Sequence, residues 1–173
     1  MKRFIFFAAL FIAAFGFTSC EDETNGGSLK IDANVVNGND YNDLIDEVRA
    51  MIFDYKVAKS KFENGAFKMT LPITISKSAY SYDGQKVDCA IPNFYAYKDN
   101  NIVGEFYYKD SLSEIDTYFG YCYKSGTMTL RFSSAEIGGT LKMKKGWNII
   151  YKVRGEYTLE KPDKELNWYF IPN

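Results

Sequence analysis

Histidine is absent from all 173 residues. Ser-His-Asp and Cys-His nucleophile activation, His-rich zinc and copper sites and most general-base roles near neutral pH all need an imidazole, so these classes are excluded together. Cysteine is scarce: Cys20, Cys89 and Cys122 are the complete set. If Cys20 is used elsewhere, two thiolates are too few for a structural zinc site. An excess of one charge sign is also missing, because 21 Lys and Arg face 22 Asp and Glu. Nucleic acid needs a basic face or stripe, and none is predicted. A hydrolase working with two carboxylates passes these filters, but 22 acidic residues guarantee chance pairs and none is marked by spacing. The chain is read as non-enzymatic, with no cofactor.

What is present begins with an address. Lys2 and Arg3 precede an apolar run from Phe4 to Phe17, 14 residues, which is short of the roughly 20 needed to span a bilayer and fits a signal-peptide core. The run ends in Phe17-Thr18-Ser19-Cys20, which resembles a bacterial lipobox. That resemblance implies cleavage before Cys20, acylation of its thiol and a membrane partner reached through lipid. Two or more acyl chains satisfy the two-signal requirement for stable attachment. Glu21, Asp22 and Glu23 resemble the acidic signal of surface-exposed Gram-negative lipoproteins, which implies an outer-membrane protein facing the exterior. The expected organisation is a signal peptide over 1–19, a lipidated cysteine and flexible tether over 20–28, and one domain over 29–173. Loss of Lys2 and Arg3 takes the formal charge from −1 to −3.

From Ser28 onward apolar and polar residues mostly alternate, and Gly, Asn, Asp or Pro break the pattern every eight to twelve residues. This predicts an all-β fold, a single antiparallel β-sandwich of about nine or ten strands, with a closed barrel as second choice. Strands are expected at Leu29–Val36 and Ile45–Phe53, separated by the turn-rich Asn37–Asp43. Asn64-Gly65 signals a two-residue hairpin pairing Glu63 with Ala66, Phe62 with Phe67 and Lys61 with Lys68. A second hairpin about Ser125-Gly126 pairs Tyr121 with Leu130 and Phe119 with Phe132. A third uses Lys144-Lys145-Gly146, with Gly146 left-handed and Met143 opposite Trp147. Tyr95–Lys98 and Ile102–Tyr108 form a further hairpin about Asn100-Asn101, with aromatics on both faces and its orientation open. Glu156–Glu160 and Leu166–Ile171 flank a Lys-Pro-Asp-Lys turn.

Residues 28–72, above all Gly65-Ala66-Phe67-Lys68-Met69-Thr70-Leu71-Pro72, resemble the G-x-F-x-L-x-L-P hairpin of transthyretin-like, carboxypeptidase-regulatory-like sandwich domains. The resemblance implies a transthyretin-like or immunoglobulin-like sandwich. It also suggests a pilus-type structural subunit with an edge open to a partner's strand.

Three groups are candidate sites. Cys89 and Cys122 are an even pair in an oxidising compartment, where a bridge is worth about 3 to 4 kcal/mol, yet the second hairpin's register puts Cys122 on the wet face and favours two unpaired small residues. Asn37–Asp43 with Asp46 and Glu47 supplies oxygen ligands but lacks the EF-hand order; turn chemistry accounts for these residues and no metal is predicted. The 14 tyrosines are all behind Cys20, and Tyr80, Tyr82, Tyr95, Tyr97 and Tyr118 are candidates for an exposed aromatic surface binding glycan or an envelope protein. The function expected is a lipid-anchored binding or adhesion module. The alternatives are the pilus-type subunit and a small carboxylate-dependent hydrolase with two acids about 5 to 9.5 Å apart in an aromatic cleft.

Overall fold

The computed structural model describes residues 27–76, 81–82, 85–86, 89–131 and 137–173. The residues 1–19 read as a signal peptide, Cys20, Tyr80 and Phe132 lie outside the described residues, and of Tyr82 only the backbone is described. No helix among the described residues is long and apolar enough to cross a membrane.

Among the described residues fifteen strand segments follow in chain order: β1 Leu29–Asn34, β2 Glu47–Ile52, β3 Tyr55–Lys61, β4 Ala66–Leu71, β5 Ser81–Tyr82, β6 Gln85–Lys86, β7 Cys89–Ala90, β8 Asn93–Lys98, β9 Asn101–Lys109, β10 Ile115–Cys122, β11 Gly126–Arg131, β12 Ile137–Met143, β13 Gly146–Val153, β14 Glu156–Thr158 and β15 Asn167–Pro172. The fold is all-β, and every strand ladder described is antiparallel. Segments outnumber the nine or ten expected strands because the two-residue strands β5, β6 and β7 add to them.

Nine strands share one sheet, in the order β14-β13-β10-β9-β8-β2-β3, with β15 on the other edge of β9 and β7 on β10. This sheet curls, and the β1–β4 pair closes over its inner face. A parallel bridge from Val35 to Trp168 ties β1 to β15, and the Glu63–Ala66 bridge ties β4 to β3. Alternation explains the layering: β1 buries Leu29, Ile31 and Ala33, β4 buries Phe67, Met69 and Leu71, and the residues between them face water. Trp168 is the hub, with Phe67, Phe94, Tyr108 and Phe119 around it at centroid distances of 5.2 to 5.9 Å.

The Asn64-Gly65 turn forms with both residues left-handed, φ 53° and 72°. Beyond the first pair the expected hairpin ladder does not continue. Phe62 N donates to Asp46 O and Val35 N to Gly65 O, so β3 turns to β2 and β4 to β1. Charge is one reason: Lys68 reaches Asp32 at 2.8 Å and Lys61 reaches Glu63 at 3.6 Å, where the simple hairpin would oppose the two lysines.

The hairpin expected at Ser125-Gly126 is also corrected. The whole of β10 pairs with β13, setting Phe119 opposite Ile149 and Tyr121 opposite Trp147, while β11 pairs with β12. Gly146 is left-handed at φ 94°, as expected, but Met143 lies opposite Gly126 and not Trp147. Both long strands kink at one level, held by Lys145 N donating to Ser125 Oγ at 3.0 Å. Asn148 adds a second tie: its Oδ1 accepts from Lys144 N and its Nδ2 donates to the Lys144 and Gly146 carbonyls. The β8–β9 turn is Asp99-Asn100, one residue earlier than expected, because these two residues take the positive φ.

Cys89 and Cys122 are joined by a disulfide, and Cys122 is fully buried. The expected wet face is instead a second apolar cluster of Cys122, Met143 and Ile150, against which Ile91, Tyr118, Leu141 and Tyr157 pack. The short β7–β10 pairing, on the edge of β10 away from β13, places Cys122 opposite Cys89, with Cα atoms 4.3 Å apart, close enough for a bridge.

Candidate aromatic binding face

The outer face of β8, β9 and β15 follows from period two. Phe94, Phe106, Trp168 and Phe170 point into the core, so Tyr95, Glu105, Tyr107, Tyr169 and Ile171 point outward. Tyr107 and Tyr169 are direct cross-strand partners. Tyr95 is on the adjacent strand opposite Glu105. The three tyrosines therefore step across three neighbouring strands, at separations of about 5 Å for the direct pair and about 7 to 8 Å for the diagonal one. Tyr107 is 39% exposed and Ile171 46%, so the centre of the strip is open to solvent.

Polar partners hold these rings. Tyr107 Oη donates to Glu105 Oε2, and Asn93 Nδ2 donates to Tyr95 Oη at 3.2 Å. Burial first, and then the bond to Glu105, push the Tyr107 hydroxyl well above the usual phenol range, so it remains a donor at any physiological pH. The Lys109 ammonium sits 5.6 Å from the Tyr169 ring centroid and also donates to Ser113 Oγ at 3.0 Å.

Beside the strip, on the same face, is a shallow open depression of about 250 Å³ lined by Asp46, Glu47, Arg49, Lys59, Tyr97, Asp99 and Asn100. Arg49 stacks over the Tyr97 ring at 3.9 Å, bonds to Glu47, and donates to Asn100 Oδ1 at 2.7 Å. Lys59 also reaches Glu47, at 2.7 Å. Asp46 accepts from Lys98 at 2.8 Å and from Asp99 N at 3.0 Å, and these two bonds hold its carboxyl below the ordinary carboxylate range. Burial raises Glu47, but the bonds from Lys59 and Arg49 outweigh it and the net shift is downward.

Of the expected tyrosines whose side chains are described, Tyr95, Tyr97 and Tyr118, Tyr95 alone lies on this strip. Tyr97 is corrected: it is 8% exposed because Arg49 covers its ring. Tyr118 lies beside Tyr157, centroids 6.4 Å apart, against the disulfide cluster. Tyr80 and the Tyr82 side chain are outside the described residues. Tyr107 and Tyr169 were missed, although the alternation over 167–171 separates Trp168 and Phe170 from Tyr169 and Ile171. Which set is outward depends on the neighbouring strands. In the turn-rich segment with oxygen ligands, Asn42 Oδ1 accepts from Gly65 N at 3.0 Å, and Asp46 and Glu47 are paired with cations. No family model matches the chain, and comparison with curated proteins and with solved structures finds no match.

Proposed function

We propose that this protein is a non-catalytic, lipid-anchored module of the outer membrane, facing the exterior, that binds glycan on the outer face of β8, β9 and β15. The observation carrying the reading is the Tyr107–Tyr169 cross-strand pair with Tyr95 alongside, three rings on an exposed sheet face, the Tyr107 and Tyr95 hydroxyls hydrogen-bonded and the Tyr169 ring beside the Lys109 ammonium. Such a face offers apolar stacking area and polar groups that fix orientation, at little entropic cost because the rings are already held. The leader, the Phe17-Thr18-Ser19-Cys20 lipobox resemblance and the acidic residues behind it support the anchor and the address.

The hydrolase reading needs one carboxyl kept protonated as general acid. In the depression beside the tyrosines, Asp46 and Glu47 are both shifted the other way. The pilus-type reading needs an edge that accepts a strand; β3, at one end of the large sheet, carries Lys56, Lys59 and Lys61 and a register shift against β2, features that deter strand addition.

A glycan panel probed with wild type and with Tyr107→Ala/Tyr169→Ala tests the proposal. The double variant should keep its fold and lose about tenfold in affinity, about 1.4 kcal/mol. Unchanged binding would remove this face from the function.

A further inference from the structure

The depression adjoins the tyrosine strip through one continuous row of outward residues. Successive cross-strand partners run Ile171, Glu105, Tyr95, Arg49 and Lys59, from β15 through β9, β8 and β2 to β3. At about 4.8 Å per strand the row is about 19 Å long, room for several sugar rings. Around the depression the charges are matched. The carboxylates of Asp46, Glu47 and Asp99 face the cations of Arg49, Lys59 and Lys98, with Glu47 taking Arg49 and Lys59, and Asp46 taking Lys98. An incoming anion would have to break a formed ion pair to gain a cation. A hydroxyl group needs no such exchange, because each bound carboxylate oxygen keeps a free lone pair and Asn100, accepting from Arg49 through Oδ1, keeps its amide N–H donors.

Resting on the carbohydrate reading of this face, we infer that the ligand is an uncharged oligosaccharide laid across the strands, stacked on Tyr107 and Tyr169 at one end and hydrogen-bonded in the Asp46–Asn100 depression at the other. Short chains occupy the tyrosines alone; longer ones gain the depression. Asn100 has φ 65°, a conformation glycine takes without strain, so Asn100→Gly removes the amide and preserves the turn.

The test is calorimetric titration of the full-length protein in detergent micelles with cellohexaose, maltohexaose, their disaccharides and the acidic oligomer hexagalacturonate. A neutral hexasaccharide should bind with less than about twofold change between about 50 and about 500 mM salt. Asn100→Gly should weaken that hexasaccharide by at least about fivefold and leave its disaccharide unchanged, whereas Tyr107→Ala should weaken both; thermal melts should confirm that both variants are folded. Tighter, strongly salt-dependent binding of hexagalacturonate would overturn the uncharged ligand. A hexasaccharide indifferent to Asn100→Gly but sensitive to Tyr107→Ala would overturn the depression as a subsite and leave the tyrosine face standing. Failure of the wild type to bind any of the probes would overturn the carbohydrate reading itself, and this inference with it.

Discussion

At the scale of single residues, the carboxylates of the depression set a pH dependence. Asp46 and Glu47 have ordinary values of 3.8 and 4.5, and in the folded chain both are lowered. A group whose folded pKa is depressed stabilises the fold above its unfolded pKa and loses that contribution as pH falls through the folded one. Stability should therefore be level from neutral pH down to about 5 and fall below about 4, as the carboxylates are protonated and Lys98, Arg49 and Lys59 lose their partners. Urea midpoints measured against pH check this, and Asp46→Asn should show a shallower acid decline than wild type. A decline of equal depth would remove Asp46 from the account. Little of this was legible beforehand, because Lys98 is 52 positions from Asp46 in sequence and meets it through the β2–β8 pairing.

Among the elements, the Asn64-Gly65 turn shows how local chemistry and packing combine. Gly65 has φ 72°, and a Cβ there would lie 2.7 Å from Asn39 N and 2.9 Å from Gly38 C. Gly155 has φ 91° but nothing within 4 Å of its Cβ position. Backbone strain applies to both, while collision applies to Gly65 alone. Gly65→Ala should cost at least about 2 kcal/mol and Gly155→Ala about 1 kcal/mol, read from chemical denaturation. Equal costs would mean that the Gly38 turn moves aside freely. The Asn-Gly pair announced the turn, since both positions need positive φ. The ladder beyond it was not legible: whether β3 stays with β4 depends on Asp46 O, which accepts from Phe62 N across the fold.

For the whole molecule, the disulfide is the long-range staple. It joins residues 33 positions apart and fixes β7 against β10 over the second apolar cluster. Cys89→Ala/Cys122→Ala should lower unfolding free energy by about 3 to 4 kcal/mol, seen as a lower urea midpoint. An unchanged midpoint would show that packing around Met143 and Ile150 suffices. The bridge was misjudged from sequence for a definable reason: assigning β11 as the partner of β10 exposed Cys122, and assigning β13 buries it.

The sequence by itself determined the all-β class, the alternation that separates core from surface within each strand, and the left-handed turn residues Asn64, Gly65 and Gly146. These properties are local, set by side chains two apart and by which residues tolerate positive φ. It also lacks any imidazole, which bounds the chemistry, and its residues 17–20 resemble a lipobox, the basis of the proposed address. Tertiary structure alone decided which strands pair, which aromatic face is outward and whether the two cysteines meet. Several partners satisfy the same alternation in isolation, and the choice falls to the arrangement that buries Trp168 among four rings, matches Lys68 to Asp32 and closes the β1–β4 pair over the curled sheet. Tyr107, Tyr169 and Tyr95 become one surface through that choice, since they come from three strands whose adjacency no short stretch of chain encodes.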